Sequence, residues 1–470
     1  MVKPDPAEDR PPGRLAAWLD SFPLGRTPLV MLALFVVSAL LVGFSGHLEG
    51  RRLVYWCFAR THYDDYMSAK ERFEAAHPGW RVDIKLVDHA SLLNRLTAAF
   101  VRGSGAPDAT EIEITGIGRF FKGEAAEVSF EDLEALGAQQ GDAGWPSRIV
   151  EARFAPWSYQ GHIFGMPQDL HPVVLLYRQD LFSQLGYPDL PAAAQTWGDF
   201  LKVALQVSRP REVDPGHPHY AIGLHNSDFW EFWQMLYQRG GGIYDAQRRP
   251  AVDSPEAVEV LDFYAALFHT HRVAWPIRDL PSFWGAIKRD EVLCFLAADW
   301  FVGFLRNNVP EQAGLWRAMP MPAWYPGGRR VSSFGGTTTV IPRQGENREM
   351  AWEFTKLLYL DREETVSRAL KTRVMPAMHE SYEDPRLLGD RFAYLGGQEL
   401  GRLFAELRNQ IPPVYLHSSW TEASTQLGTV ILRAIQQEDT PANLLYQYRQ
   451  YIEGIMQRYA SVEALLRGGR

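Results

Sequence analysis

The chain has 470 residues, more than one ordinary hydrophobic core accommodates, so two lobes are expected. Hydrophobic residues make up 46% and charged residues 22%, a globular composition that excludes general disorder. The formal net charge of -8, with no dense Lys/Arg run, excludes a general nucleic-acid binder, which needs a basic face to displace phosphate counterions.

Residues 1–26 are Pro-rich and of mixed charge, and are expected to form a short cytoplasmic tail. Between Arg26 and Glu49 no formally charged residue occurs, and Leu29 to Ser45 reads LVMLALFVVSALLVGFS. A helix crossing the hydrocarbon core needs about 20 apolar residues. Residues 27–47 are therefore expected to be a transmembrane anchor; a signal segment cleaved near Gly43 or Ser45 is the competing reading. Lys3, Arg10, Arg14 and Arg26 precede the run and Arg51 and Arg52 follow it, which places the amino terminus inside and the bulk of the chain outside the inner (cytoplasmic) membrane.

From Leu53 the pattern changes. LVYWCFA predicts a buried strand, His62 to Ala76 a helix stopped by Pro78 and Gly79, and RVDIKLVD an alternating strand. Ser91 to Val101 predicts a helix and DATEIEI a third strand; such alternation predicts a parallel sheet in an α/β fold. Thr196 is a plausible N-cap for a helix to about Val207, and Ser254-Pro255 opens another, with Ser at the cap and Pro at the first position. A helix over Asp228 to Arg239 stops at Gly240-Gly241-Gly242. Strands are expected over Val292–Ala298 and Gly336–Ile341, and helices over Asn347–Tyr359, Asp361–Leu370, Thr421–Ile435 and Pro441–Tyr459. Cys57 and Cys294 lie in apolar runs and are expected to be buried small hydrophobes.

Several signatures share one order with a known family. They are LVYWCF with FEAAHPGWRVDIKLVD; APDATEIEI; YQGHIFGMPQDLHPVVLLYRQDLFSQLGY followed by TWGDFLKVALQVS; DEVLCFLAADW; FGGTTTVIPRQGENREMAWEFTKLLYLDREE; RVMPAM; and a late helix near Trp420. In the third, Gly161, Gly165, Pro167, Tyr177, Asp180, Leu181, Phe182, Gly186, Thr196 and Trp197 fall on the family pattern. From about residue 52 to 465 the chain resembles the extracellular solute-binding proteins of ABC sugar importers, the family that includes maltodextrin-binding protein. No lipid-attachment cysteine follows the hydrophobic run, a departure from the lipidated members.

The resemblance implies two α/β lobes joined by hinge strands, with a ligand in the cleft between them. Residues 53–167 and 336–400 would form lobe 1, and 172–334 and 412–470 lobe 2, with crossings at Gln168–His171, Phe334–Gly336 and near 400–412. It also places Trp300 and Trp420 where the family has ligand-facing aromatics. A neutral polyhydroxylated ligand needs flat aromatic faces and planar polar side chains. Further aromatic candidates are Trp230 and Trp233, which share a helical face, and Trp56 on the first strand. Ligands of open α/β sheets bind beyond the carboxyl ends of strands, which singles out His62, Asp64 and Glu113; Asp169 at the hinge and Arg373 before Met375-Pro376 complete the polar set. Gly336 allows either close backbone approach to a ligand or hinge freedom.

There is no H-E-x-x-H, no P-loop and no nucleophile elbow, so no metal, cofactor or catalytic residue is expected. The expected function is capture of a carbohydrate or polyol and delivery to the permease subunits of an ABC importer. A carbohydrate-active hydrolase with a carboxyl pair, or a ligand-sensing subunit for a separate signalling partner, are the alternatives.

Overall fold

The computed structural model describes residues 30–39 and 51–468. Residues 30–39 are helical; the expected tail 1–26 and the rest of segment 27–47 lie outside the described residues. Among the described residues no helix is long and apolar enough to cross a membrane.

The chain opens with β1 (Arg51–Cys57), α1 (Arg60–Ala76), β2 (Trp80–Leu86), α2 (His89–Arg102) and β3 (Ala109–Glu113). It passes through short helical turns to β4 (Met166–Pro167), β5 (Pro172–Arg178), α3 (Trp197–Val207), β6 (Tyr220–His225), α4 (Trp230–Arg239), α5 (Pro255–His269) and β7 (Ala274–Ile277). Then follow β8 (Val292–Ala298), α6 (Asp299–Asn308), β9 (Trp316–Met319), β10 (Ser332–Ser333), β11 (Thr337–Val340), α7 (Arg348–Tyr359), α8 (Arg362–Thr372), α9 (Trp420–Ile435) and α10 (Pro441–Gly468).

Local chemistry sets several of these boundaries. Asp88 caps α2 by accepting from Ser91 N, and Gly103 ends it in the left-handed region at φ 75°, which costs a glycine little. Thr196 accepts from Asp199 N at the start of α3, and Ser254 accepts from Ala257 N with Pro255 at the head of α5.

The strands form two main sheets. The first has order β2-β1-β3-β11-β4, with β1 parallel to both β2 and β3, and β11 antiparallel to β3. The second has order β9-β5-β8-β6-β7, with β10 also pairing β5. Every residue of β5 and β8 is buried, as expected for strands covered on both faces. Cys57 and Cys294 are both buried and free, and the Cys294 thiol donates to Ala221 O at 2.9 Å.

The chain passes from the first sheet to the second between Pro167 and Pro172, and returns between Ser333 and Thr337. A third crossing falls earlier than the 400–412 expected. Val150 N bonds Ala377 O, and Leu170 N bonds Met375 O at 2.8 Å. Beyond this, Tyr382, Phe392, Leu400 and Phe404 are buried in one cluster with Phe295, Phe301 and Trp316 of the second sheet. Tyr394 Oη donates to Val309 O at 2.7 Å and Gln398 Nε2 to Ala318 O at 2.6 Å. The buried apolar side chains of 382–400 thus pack with those of the second sheet, contrary to the expected placement in lobe 1. The reason is a run of large apolar side chains whose burial is worth roughly 1.5–3 kcal/mol each.

Candidate functional site

Where the crossings meet, four charged side chains are buried together. Arg153 donates through Nε to Asp169 O at 2.9 Å, through Nη1 to Ser333 Oγ at 2.8 Å, and through Nη2 to Asp169 Oδ1 at 3.2 Å. Asp169 accepts Thr337 N at 3.1 Å and faces His171 Nε2 at 3.1 Å. The other ring nitrogen, His171 Nδ1, lies 2.7 Å from Asp299 Oδ1, and Asp299 Oδ2 accepts Met375 N at 2.6 Å. Two carboxylates are therefore balanced by a guanidinium and an imidazolium, and the set ties all three crossings together. The backbone is special here as well: His171 sits at φ 45°, Gly335 at 94° and Gly336 at 148°. A Cβ at Gly336 would run into the Arg153 guanidinium, so this glycine serves internal packing of a buried cation.

Burial alone would lower the His171 imidazole, but Asp169 and Asp299 push it up from its ordinary 6.5 to about 10. Burial alone would raise the Asp169 carboxyl, yet His171 and Arg153 hold it below its ordinary value. A cation favoured in the folded state contributes stability that is full below the unfolded value and is lost as pH rises through the folded one. Wild-type protein should therefore lose stability to urea between pH of about 6.5 and about 10. His171→Gln should show a flatter profile over that window, and parallel profiles would remove the imidazolium from this role.

Beside the network stands a shelf of aromatic rings. Trp230 heads α4 just beyond β6, and Trp300 lies at the head of α6 just beyond β8. Their ring centroids are 6.1 Å apart, and Phe334 of the second crossing lies 5.2 Å from Trp230 and 6.3 Å from Trp300. Trp300 Nε1 donates to Phe334 O at 3.0 Å, which fixes that indole to the crossing. Phe304, one helical turn after Trp300, extends the row at 5.6 Å and is 48% exposed. Trp230 and Trp300 are half-buried. Flat, partly exposed rings in a row suit the C–H faces of sugar rings.

The first lobe offers a polar wall. Glu111 on β3 is buried, accepts Phe58 N at 3.1 Å and Tyr66 Oη, and lies 3.0 Å from His62 Nδ1. Burial lowers the His62 imidazole but Glu111 more than restores it, so the net shift is upward. Tyr66 Oη also reaches Gln168 Oε1 at 3.1 Å and Tyr359 Oη at 2.9 Å, which joins this wall to the first crossing. Glu113, at the end of β3, is raised by burial, partly offset by its bonds from Thr115. Gly336 O accepts Ile114 N at 2.9 Å, so Glu113 abuts the second crossing.

Of the expected site residues, the structure brings His62, Glu113, Asp169, Gly336, Trp230 and Trp300 to the region where the sheets meet. Trp233 and Trp420 are each only 2% exposed. They pack on each other at 4.9 Å, behind Phe229, and Trp233 Nε1 donates to Ser333 O. Trp56 is half-buried against the main core, its Nε1 buried without a hydrogen-bond partner. Asp64 is exposed on α1 and pairs with Arg60 one turn earlier. Arg373 ends α8 at φ 70°, pairs with Asp390 and lies 5.0 Å over Phe392, away from the aromatic row.

Sequence reasoning missed Arg153, His171, Asp299, Glu111 and Phe304. Asp299 carried a signal, an acid between a buried strand and a tryptophan. Arg153 carried none, because its partners lie 16 and 180 residues away.

A family model described as bacterial extracellular solute-binding protein matches residues 62–364. An arabinooligosaccharide-binding protein of Halalkalibacterium halodurans is 27% identical over 436 residues, covering 87% of this chain and 91% of that relative. One of Bacillus subtilis is 23% identical, covering 89% and 95%. Among solved structures, the sugar-binding protein MalE of Xanthomonas citri superposes with a TM-score of 0.73 at 17% identity, covering 88% of this chain and 99% of that one. An ABC substrate-binding protein of Listeria monocytogenes in complex with cycloalternan gives 0.66 at 18% identity, covering 87% and 99%. These likenesses show the two-lobed α/β periplasmic-binding-protein fold.

Proposed function

Because the chain belongs to the bacterial extracellular solute-binding protein family, we propose that it captures an oligosaccharide, of the arabino-oligosaccharide class, between its two lobes and hands it to an ABC importer. The observation that carries this reading is the row Trp230–Trp300–Phe304, fixed to the second crossing through Trp300 Nε1 and Phe334 O. Several rings in series suit a chain of sugars better than a single one, and the relatives named for arabino-oligosaccharides are matched over most of their length.

In this reading the charge network is the hinge, His62 and Glu113 face ligand hydroxyls from lobe 1, and Trp230 and Trp300 stack from lobe 2. Ligand favours the closed arrangement only by the extra contacts it makes there. Calorimetric titration of arabinotriose, maltotriose and cellotriose tests it. Saturable binding of arabinotriose without release of monosaccharide is expected; no binding across the set, or steady hydrolysis, would overturn it.

Residues 27–47 tether the binding lobes outside the inner membrane in this proposal, on the strength of an uncharged run from Thr27 to Leu48. Release of the full-length protein into the soluble fraction of expressing cells would refute the tether.

A further inference from the structure

Against the aromatic row lies a small pocket, lined by His225, Trp230, Glu231, Gln234, Phe283 and Trp300 among others. The two tryptophans of the shelf form part of its wall, so it adjoins the rings on which a sugar would stack. It has room for one group the size of a water molecule.

The pocket has an unusual polar end. Gln234 is 2% exposed and its Oε1 is buried with no hydrogen-bond partner. A buried acceptor left unpaired is costly, so such a group in a folded protein calls for a partner that arrives from elsewhere. Its neighbours are already committed. Glu231 accepts His225 N at 2.9 Å and His225 Nδ1 at 2.9 Å, and Tyr264 Oη closes the set by donating to His225 O at 2.6 Å. The other walls are apolar, supplied by Ile277, Leu280, Phe295 and Phe301.

We infer that this pocket receives the hydroxymethyl arm of one sugar of the bound oligosaccharide, whose hydroxyl donates to Gln234 Oε1. The inference rests on the oligosaccharide reading above and adds a subsite to it. A hydroxymethyl group matches the shape and chemistry: an apolar methylene passes the phenyl and indole walls, and a single hydroxyl, the size of one water, meets the one unpaired acceptor. A ring hydroxyl has no such stem and would bring the ring itself against the pocket mouth. A sugar lacking the arm would leave the acceptor unpaired, so the pocket discriminates by the polar group it leaves unsatisfied.

The test uses the full chain, arabinotriose, and an arabinotriose analogue deoxygenated at the terminal hydroxymethyl group. Gln234→Met keeps length and volume but removes the acceptor. Its affinity for arabinotriose should fall at least tenfold while the unfolding midpoint of the free protein holds or rises. The deoxy analogue should lose as much on wild type and lose nothing further on Gln234→Met, because both changes remove one interaction. Equal affinity of wild type and variant, additive losses in the two-by-two comparison, or a midpoint that falls in step with affinity would each overturn the subsite. If wild type binds none of the trisaccharides, the oligosaccharide reading fails and the subsite with it; if wild type binds and the variant binds equally, only the subsite fails.

Discussion

Asp299→Ala is expected to lower the stability of the folded chain by about 3–5 kcal/mol, the range seen when one partner of a buried ion pair is removed. Asp299 is fully buried, and both of its oxygens are engaged. Oδ1 takes His171 Nδ1 at 2.7 Å and Trp300 N at 2.8 Å, and Oδ2 takes Met375 N at 2.6 Å. Alanine leaves two backbone donors, Trp300 N and Met375 N, without their acceptor. It also leaves the His171 imidazolium with Asp169 alone, an anion that Arg153 already shares. Asp299→Asn preserves the shape and one of the two acceptor oxygens while removing the charge, so its loss should be smaller. Urea unfolding of the three proteins gives the answer, and a loss below about 1 kcal/mol for alanine would show that the network stabilises little.

Trp300→Ala should weaken arabinotriose binding by at least about 30-fold, the equivalent of the 2 kcal/mol that marks a dominant contact residue. The ring sits in the middle of the row, between Trp230 and Phe304, so its loss interrupts the stacking surface rather than shortening it. It also removes the indole bond to Phe334 O in the second crossing. Trp300→Phe restores a flat face without that bond, and should recover part of the affinity. The half-buried position predicts that both variants remain folded. Titration of both against wild type separates the two contributions, and unchanged affinity for alanine would move the ligand off this shelf.

The two effects are linked through one stretch of chain. Asp299 and Trp300 are adjacent at the head of α6; the first holds His171 of one crossing and the second holds Phe334 of another. In the proposed reading, a sugar stacked on Trp300 would touch a side chain bonded to Phe334 O in the second crossing. Closure driven this way needs only a preference of the ligand for the closed arrangement.

Much of the first lobe was legible in the sequence because its strands alternate or carry clear stops. The runs at β1, β2 and β3 and the helices between them match their expected positions to within a few residues. Most of the second sheet was not legible. In β5, PVVLLYR is buried on both faces and lacks alternation, while β7 and β9 have only four residues each. The cleft followed the same division. Trp300 could be placed because it closes the DEVLCFLAADW signature, and Trp230 because it lies on the expected helix over Asp228 to Arg239. Trp233 and Trp420, equally aromatic and equally well placed along the chain, turned inward to pack against each other, a choice made by tertiary contact alone. The charge network was the least legible part, since its members come from three separate segments and become neighbours only when the crossings are folded.

An oligosaccharide held between the lobes is expected to favour their closure. Small-angle X-ray scattering of the protein with and without saturating arabinotriose measures this directly. A smaller radius of gyration with ligand, abolished in Trp300→Ala at the same ligand concentration, is the expected result. An unchanged radius of gyration while calorimetry reports a fully occupied site would contradict it.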